Sequence, residues 1–320
     1  MQHYPFVVDE RPFCVWGSDL QDRNKHFLER IDTEYFRFAA DSFARNLTEH
    51  SKLRAGLGLR LTYSHALEAF FALLFAGIQA PGCVLPWLAR YALDDLRALV
   101  AKVQAKKAIL NRVGLDTPNW QQISSTVHRC LVLEDKDKEK RIKTGFADIW
   151  TLLACEFASD PVHWEYNSIK HGLRATPGGS HLWVGIEHEY GVEPPPNEMQ
   201  YVGGSEFGTT FTQVERLGGS KLNIRLRRHA RNWDPEGLFT SIDLTAMSIH
   251  NVVSCLLILN GTPANQIRFV WPENLDYFDV AKDMPPSLNN LTFDEVIDEN
   301  EIKFLSREEI LATYRPVEQP

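Results

Sequence analysis

The chain has 320 residues, of which 44% are hydrophobic and 24% are charged, with 34 Lys and Arg against 42 Asp and Glu. These values exclude collagen-like, low-complexity and wholly disordered chains. The formal net charge of −8 argues against a protein that coats nucleic acid through bulk charge. The length provides a sizeable core for one large domain or two modest ones.

The cysteines and short motifs bear on redox setting and cofactors. The cysteines are Cys14, Cys83, Cys130, Cys155 and Cys255. Their odd number and wide spacing fit neither a disulfide framework nor a zinc ribbon. A strand cannot turn the three consecutive residues of Glu187-His188-Glu189 toward one ion, and no P-loop or Rossmann fingerprint is present. The sequence therefore predicts a cytoplasmic protein without metal or cofactor.

No segment predicts a membrane protein. The first 25 residues mix charges, Pro and aromatics and lack the basic-then-apolar order of a secretory signal. The most apolar stretch, residues 66–80, carries Glu68 and is about 15 residues long, which is too short to span a bilayer. We expect this stretch to be a buried helix.

Apolar residues at three- to four-residue spacing predict helices through the first half of the chain. The predicted helices cover residues 33–50, 62–80, 85–107, 118–131, 144–159 and 162–174. Residues 62–80 are apolar nearly all round, so that helix is expected at the centre. The mixed charge run over 134–143 is interpreted as a solvated helix start or loop.

The pattern changes to that of strands at Thr176. Residues 209–217 and 221–229 alternate polar and apolar around Gly218-Gly219, which predicts a β hairpin. The remaining expectations are a strand over 181–186, a Pro/Gly-rich loop over 191–204, a helix over 233–260, a short strand over 266–271 and a late helix over 306–313.

We therefore expect a mainly α protein, a helical bundle with an inserted β hairpin or small antiparallel sheet between its last core helices. Its predicted parts are a helical bundle over 1–175, an inserted β region over 176–232, a final core helix and short strand over 233–272 that complete the bundle, and an acidic tail over 273–320.

One predicted helix face combines groups that can act on a phosphodiester. Asn167, Lys170 and His171 lie at i, i+3 and i+4, with Tyr166 adjacent. An amide, a cation, an imidazole and a phenol can orient and protonate a phosphodiester without a metal. The alternative is an ordinary helix C-terminus, where Lys and His complement the helix dipole and Gly172 is the cap.

The segment Tyr166-Asn167-x-x-Lys170-His171 resembles the HEPN superfamily motif, which has an Arg, a polar residue that is often Asn, a short spacer and a His. The resemblance implies a dimerising helical bundle, often a metal-independent ribonuclease in defence or RNA processing. Asn167 then matches the polar position and His171 the catalytic His. Tyr166 stands where the family has the Arg that binds phosphate, and Lys170 or Arg174 could replace that Arg.

Two further sets of residues belong to this hypothesis. Arg45-Asn46 with His50 fits the same motif literally on an earlier predicted helix and is the alternative site. His65 and Glu68 share one face of the most hydrophobic predicted helix. They are either pocket partners of the Asn167–His171 face or a buried hydrogen bond that ties two helices together.

A cluster of cations near the predicted hairpin is the candidate contact with RNA or phosphate. Its members are Lys221, Arg225, Arg227 and Arg228, with Arg231 close by. In strand geometry Arg225 and Arg227 share a face with Lys221. The alternative is a solvated hairpin paired with the acidic tail.

Three functions follow as hypotheses. The first is a HEPN-like protein, either a metal-independent ribonuclease or a degenerate relative, in bacterial phage defence or stress response. It would bind RNA and form a homodimer without contacting a membrane. The second is a non-catalytic helical binding or scaffold protein. The third is a small-molecule or nucleotide binder lined by the numerous Trp and Phe residues.

Overall fold

A computed structural model describes residues 1–172, 174–293, 297–298 and 300–314. Of the described residues, 49% are helical and 17% lie in strands, and the strands form three separate antiparallel sheets. The expectation of a mainly α bundle with one β insertion is therefore wrong, and the fold is mixed α/β. The difference arises because strands also form at the N-terminus and within residues 273–320, where no strand was predicted.

The predicted helices are present with different ends, and two further helices, over 20–28 and 277–283, were not predicted. The helices are α1 Leu20–Leu28, α2 Tyr35–Ala44, α3 Lys52–Gln79, α4 Val84–Leu88, α5 Leu93–Gln104, α6 Trp120–Val127, α7 Lys136–Ala158, α8 Asp160–Lys170, α9 Pro235–Leu259, α10 Tyr277–Asp283 and α11 Arg307–Thr313. The single helix predicted over 85–107 is two helices. Ala92 is extended there, and its backbone N–H donates to the carboxylate of Asp95, which starts α5 afresh.

The charge run over 134–143 forms the start of α7. The Asp135 carboxylate accepts hydrogen bonds from the backbone N–H groups of Asp137 and Lys138, so it caps the helix. The helix predicted over 62–80 begins already at Lys52, because the apolar pattern continues toward the N-terminus through Ala55 and Leu59.

The strands form three sheets. They are β1 Gln2–Val8, β2 Arg11–Gly17, β3 Ala175–Pro177, β4 His181–Val184, β5 Gln200–Gly204, β6 Gly208–Arg216, β7 Ile224–Trp233 and β8 Ser287–Phe293. The sheets are the hairpin β1–β2, the hairpin β4–β5 and a four-stranded sheet in the order β3-β6-β7-β8. The predicted hairpin is β6–β7, and its turn places Gly218 and Gly219 at φ 56° and 70°.

Other strand predictions fail. β5 lies inside the segment predicted as a loop, and residues 266–271 form no strand. β8 lies in the predicted acidic tail, where it pairs antiparallel with β7. The hairpin β1–β2 turns at Asp9, whose φ is 54°, and it buries Phe6 and Val8.

The central layer consists of α3 and α9. Both are long and apolar enough to cross a membrane, but 72% of each apolar window is buried inside the fold, as is usual for core helices of a soluble protein. Phe70 and Phe71 of α3 pack their rings against Trp150 and Phe157 of α7. The core therefore lies between α3, α7 and α9.

The four-stranded sheet is buried at one end only. Thr209 and Phe211 of β6 and residues 229–233 of β7 are buried, where β6 packs against α3 and α8. Toward the hairpin turn the outward side chains of both strands are exposed. One end of the sheet is thus part of the core, while the other extends into solvent.

Candidate ligand-binding site

Tyr166 of the predicted catalytic face points toward α3. Its hydroxyl donates to Oε2 of Glu68 at 2.6 Å, and the Tyr91 hydroxyl donates to Oε1 of the same carboxylate at 3.0 Å. Burial, together with the negative charge of Glu68, raises the pKa of both phenols well above the ordinary value. Both tyrosines therefore stay protonated, and their hydrogen bonds tie α8 and the segment between α4 and α5 to α3.

His65 and Lys170 lie beside the same phenol. The His65 ring meets the Tyr166 ring edge-on at 5.5 Å, and Nζ of Lys170 lies 5.4 Å from its centroid. Partial burial, assisted by the positive charge of Lys170, lowers the pKa of His65 although Glu68 acts in the opposite direction. The structure thus brings together Tyr166, His65, Glu68 and Lys170.

The other residues of the predicted face lie apart from this group. Nδ2 of Asn167 donates to Nε2 of His163 at 3.0 Å, one turn back on α8, and not to His171. His171 is the C-cap of α8, and both His171 and Arg174 are exposed. Gly172 has φ 74°, the left-handed conformation of a helix C-terminus. The local geometry is that of a capped helix end.

The alternative motif lies at the end of a helix. α2 ends at Ala44, so Arg45 is its C-cap and His50 follows in a turn. Nδ2 of Asn46 donates to the backbone oxygen of Ser42 at 2.8 Å. Arg45, Asn46 and His50 are all exposed, and they do not share the helical face that the motif spacing implied.

The basic cluster divides between the two faces of β7. Arg225 and Arg227 are half-buried on one face and form ion pairs with Glu215. The hydrogen bond from Arg225 lowers the pKa of that carboxyl. Arg228 is exposed on the opposite face, with its guanidinium 5.9 Å from the ring centroid of Phe293. Lys221 is exposed in the hairpin turn.

A buried charge cluster, not predicted from the sequence, joins the helices to the sheet. Oε2 of Glu165 on α8 lies 2.6 Å from Nη2 of Arg60 on α3 and 3.1 Å from Nε of Arg231 on β7. Oε1 accepts hydrogen bonds from the Thr209 hydroxyl at 2.5 Å and the Trp233 indole at 3.2 Å. Glu165 is therefore a fully buried carboxylate whose two oxygens are both bonded.

Not every polar atom near this cluster is satisfied. The Arg60 guanidinium lies over the Tyr63 ring at 5.3 Å, and both side chains are fully buried. Nη1 of Arg60 and the Tyr63 hydroxyl have no hydrogen-bond partner among the described residues. Burial and the nearby charge of Glu156 raise the pKa of Tyr63 well above its ordinary value. The Tyr63 hydroxyl therefore remains protonated and able to donate.

Tyr63 also lines the wall of a cavity of about 300 Å³ between α3, α7, α9 and α10. Most of the wall is apolar, and its polar members include Glu156, Ser159 and Ser241. Oε2 of Glu156 accepts a hydrogen bond from the Ser287 hydroxyl at 2.9 Å. The apolar members are Ile149, Leu152, Leu153, Leu244, Ala281, Pro285 and Pro286. An apolar chamber with a few polar groups is the usual form of a small-molecule site.

A sequence signal for this site exists. Glu165 stands between Val162 and Ile169 on the buried side of α8, and Arg60 follows the buried Leu59 on α3. A charged residue at a core position is costly unless it is paired, so each of them indicates a buried partner. Which partner each one meets depends on the tertiary structure.

Comparison of the chain with protein-family models, with curated proteins and with solved structures found no match. Within the described residues, no group of three or more His, Cys, Asp or Glu side chains could hold a metal ion. The functional argument therefore depends on the geometry of the site.

Proposed function

We propose that the protein binds a small organic molecule in the cavity between α3, α7, α9 and α10. The observation that carries this proposal is Tyr63, which lines the cavity and whose fully buried hydroxyl has no partner among the described residues. Buried hydroxyls are nearly always hydrogen-bonded, and an unsatisfied one at a cavity indicates a ligand or an ordered water.

The chemistry of the wall restricts the ligand. The Tyr63 phenol stays protonated, so its hydroxyl can donate a hydrogen bond. It therefore favours a ligand that presents a hydrogen-bond acceptor. The remaining wall is mostly aliphatic. We infer an apolar body that carries a carbonyl or carboxylate oxygen.

Three probes of nearly equal size test this inference. Benzene, benzamide and benzoate are titrated separately into the protein, and binding is measured by saturation-transfer NMR. We expect benzamide and benzoate to bind more tightly than benzene, because only they offer an acceptor to Tyr63. In Tyr63→Phe the preference for the two acceptor probes should disappear while benzene binding remains.

Two variants assign the signal to the cavity. Ala281→Leu adds volume to the wall, so it should weaken all three probes. Ile186→Ser, at a side chain that is 83% exposed and distant in sequence from the wall, should change none of them. If the probes bound Ala281→Leu as tightly as they bind the native protein, the cavity would not be the binding site.

Ribonuclease activity is the second candidate, and it is supported by a different observation. Lys170, His171 and Arg174 are all exposed around the end of α8, so they offer an imidazole and two cations to a phosphodiester. This is the HEPN-like function, with or without retained activity, in defence or stress response. The test is cleavage of RNA in EDTA by the native protein, His171→Ala and, for the alternative motif, His50→Ala.

Cleavage that His171→Ala abolishes and His50→Ala leaves intact would support this second function. Equal cleavage by all three proteins, or none by the native protein, would exclude it.

A cytoplasmic location accompanies both proposals. It is supported by the five free cysteine thiols, two of which, Cys83 and Cys255, are buried. Fractionation of the cells that make the protein tests it.

A further inference from the structure

The hairpin β4–β5 and its connecting loop have an unusual surface. All four residues of β4 are exposed, and so are Gln200, Tyr201 and Val202 of β5. A strand whose sheet packs on a core buries alternate side chains. Here neither face of the hairpin is buried. We call residues 181–204 the acidic arm.

The acidic arm is rich in exposed apolar side chains. Ile186 is 83% and Tyr190 is 100% exposed, and Trp183 and Val202 are each more than half exposed. A two-stranded hairpin is at best marginally stable in water. Large exposed apolar patches on a soluble protein mark interaction surfaces. The arm therefore has the composition of a surface that a partner covers.

The charge of the arm is of one sign. Glu187, Glu189, Glu193 and Glu198 are all in this segment, and no Lys or Arg occurs between residues 175 and 215. A partner suited to this arm combines apolar side chains with cations.

The same chain carries such a surface at the exposed end of its four-stranded sheet. Val214 pairs with Leu226, and Arg216 pairs with Ile224, on neighbouring strands. All four are exposed on one face, as is Arg228 at the next outward position of β7. We call these five residues the basic face. Its apolar centre matches the exposed apolar side chains of the arm, and its flanking guanidinium groups are opposite in charge to the glutamates of the arm.

We propose that the acidic arm of one copy of this chain docks on the basic face of a second copy. Each copy has one arm and one face, so the contact can form twice around a two-fold axis and close a dimer. Burial of the arm's apolar side chains supplies the driving force, and the opposite charges set the register and the partner.

Charge reversal tests this dimer without disturbing the core. In the arm variant, Glu187→Lys, Glu189→Lys and Glu193→Lys leave three Lys against Glu198 alone, so the arm becomes basic. In the face variant, Arg216→Glu and Arg228→Glu make the face acidic. Each variant alone then opposes like charges at both contacts of a dimer. An equimolar mixture of the two instead pairs opposite charges at both contacts.

Sedimentation velocity measures the assemblies, with circular dichroism to confirm folding. We expect a native dimer, two monomeric variants and a mixed dimer from the equimolar mixture. The control Asp116→Lys with Glu134→Lys reverses two exposed acids outside both surfaces and should dimerise like the native protein. A monomeric native protein, variants that dimerise alone, or a mixture that stays monomeric would overturn the proposal. Binding of RNA or another protein to a monomeric native chain would overturn it equally.

Discussion

Arg60 on α3 and Glu165 on α8 form an ion pair with Nη2 and Oε2 2.6 Å apart, and solvent reaches 0% and 1% of the two side chains. A single carboxylate thus connects two helices and, through Thr209 and Arg231, the four-stranded sheet. Desolvation of the charges offsets much of the attraction in such a pair. Its main role is therefore to specify how the sheet is placed on the helices.

Removal of the shared carboxylate should be strongly destabilising. Glu165→Gln leaves Arg60 and Arg231 buried without their counter-ion, and we expect a loss of about 3–5 kcal/mol in the free energy of unfolding. Urea denaturation measures it. The matched control is Glu206→Gln, whose carboxylate pairs with Lys52 at the surface and should cost at most about 1 kcal/mol. Equal losses in the two variants would contradict the role assigned to Glu165.

The same substitution at two tyrosines should have opposite effects. Tyr63→Phe removes a buried hydroxyl that has no partner among the described residues. The free energy of unfolding of the ligand-free protein should therefore rise by about 1 kcal/mol. Tyr166→Phe removes the hydrogen bond to Glu68, and the free energy of unfolding should therefore fall by about 1 kcal/mol. Thermal and urea unfolding of the two variants compare them. A loss in Tyr63→Phe would mean that its hydroxyl is already satisfied, for example by an ordered water.

A glycine on α7 allows α10 to approach and complete the cavity wall. A Cβ at Gly145 would lie 2.5 Å from Cδ2 of Phe278, and α10 contributes Ala281 and Lys282 to the wall. Gly145→Ala should therefore displace α10 and lower the free energy of unfolding by about 1–3 kcal/mol. This loss is expected although alanine has a higher helix propensity than glycine by about 1 kcal/mol. Thr144→Ala, at the neighbouring half-exposed residue, is the control. A stabilised Gly145→Ala would show that Phe278 yields without cost.

Local patterns predicted part of the fold. The alternation on either side of Gly218-Gly219 predicted β6 and β7, because that pattern and turn are encoded within about twenty residues. The pairing of β8 with β7 was missed, since it joins Arg228 to Phe293, which lie far apart in sequence. The short strands β1 and β2 were missed as well, although Phe6 and Val8 alternate on the buried face.

The sequence likewise predicted only part of the candidate site. The spacing of Tyr166, Lys170, His65 and Glu68 led to residues that do lie together. The buried charge cluster was missed because Arg60 and Glu165 are separated by 105 residues. A charge at a core position can be recognised in the sequence, but the fold selects its partner.

The last prediction concerns pH and a buried histidine. His128 is fully buried, with its ring stacked on Phe146 at 4.9 Å. Its Nδ1 lies 2.8 Å from the backbone oxygen of Ser124, and Nδ2 of Asn251 lies 3.1 Å from Nε2. With Nδ1 as donor and Nε2 as acceptor, these contacts suit the neutral ring. Burial lowers the pKa of His128 from 6.5 to about 4.

The consequence for stability follows from proton linkage. Between pH 6.5 and 4 the unfolded chain protonates this histidine while the folded protein does not, so stability falls as the pH is lowered. At full effect, this histidine lowers the free energy of unfolding by about 3 kcal/mol on acidification. The test compares urea unfolding at pH 7 and pH 4.5 for the native protein, His128→Gln and His188→Gln.

His128→Gln should be less stable than the native protein at pH 7, because it loses the stacked ring, but it should lose less on acidification. His188→Gln, at an exposed histidine paired with Glu198, should follow the native protein at both pH values. Carboxyl groups also titrate in this range, but they do so equally in all three proteins, so the difference isolates His128. A native pH dependence that persists unchanged in His128→Gln would show that His128 has the same pKa in the folded and unfolded states and would contradict this prediction.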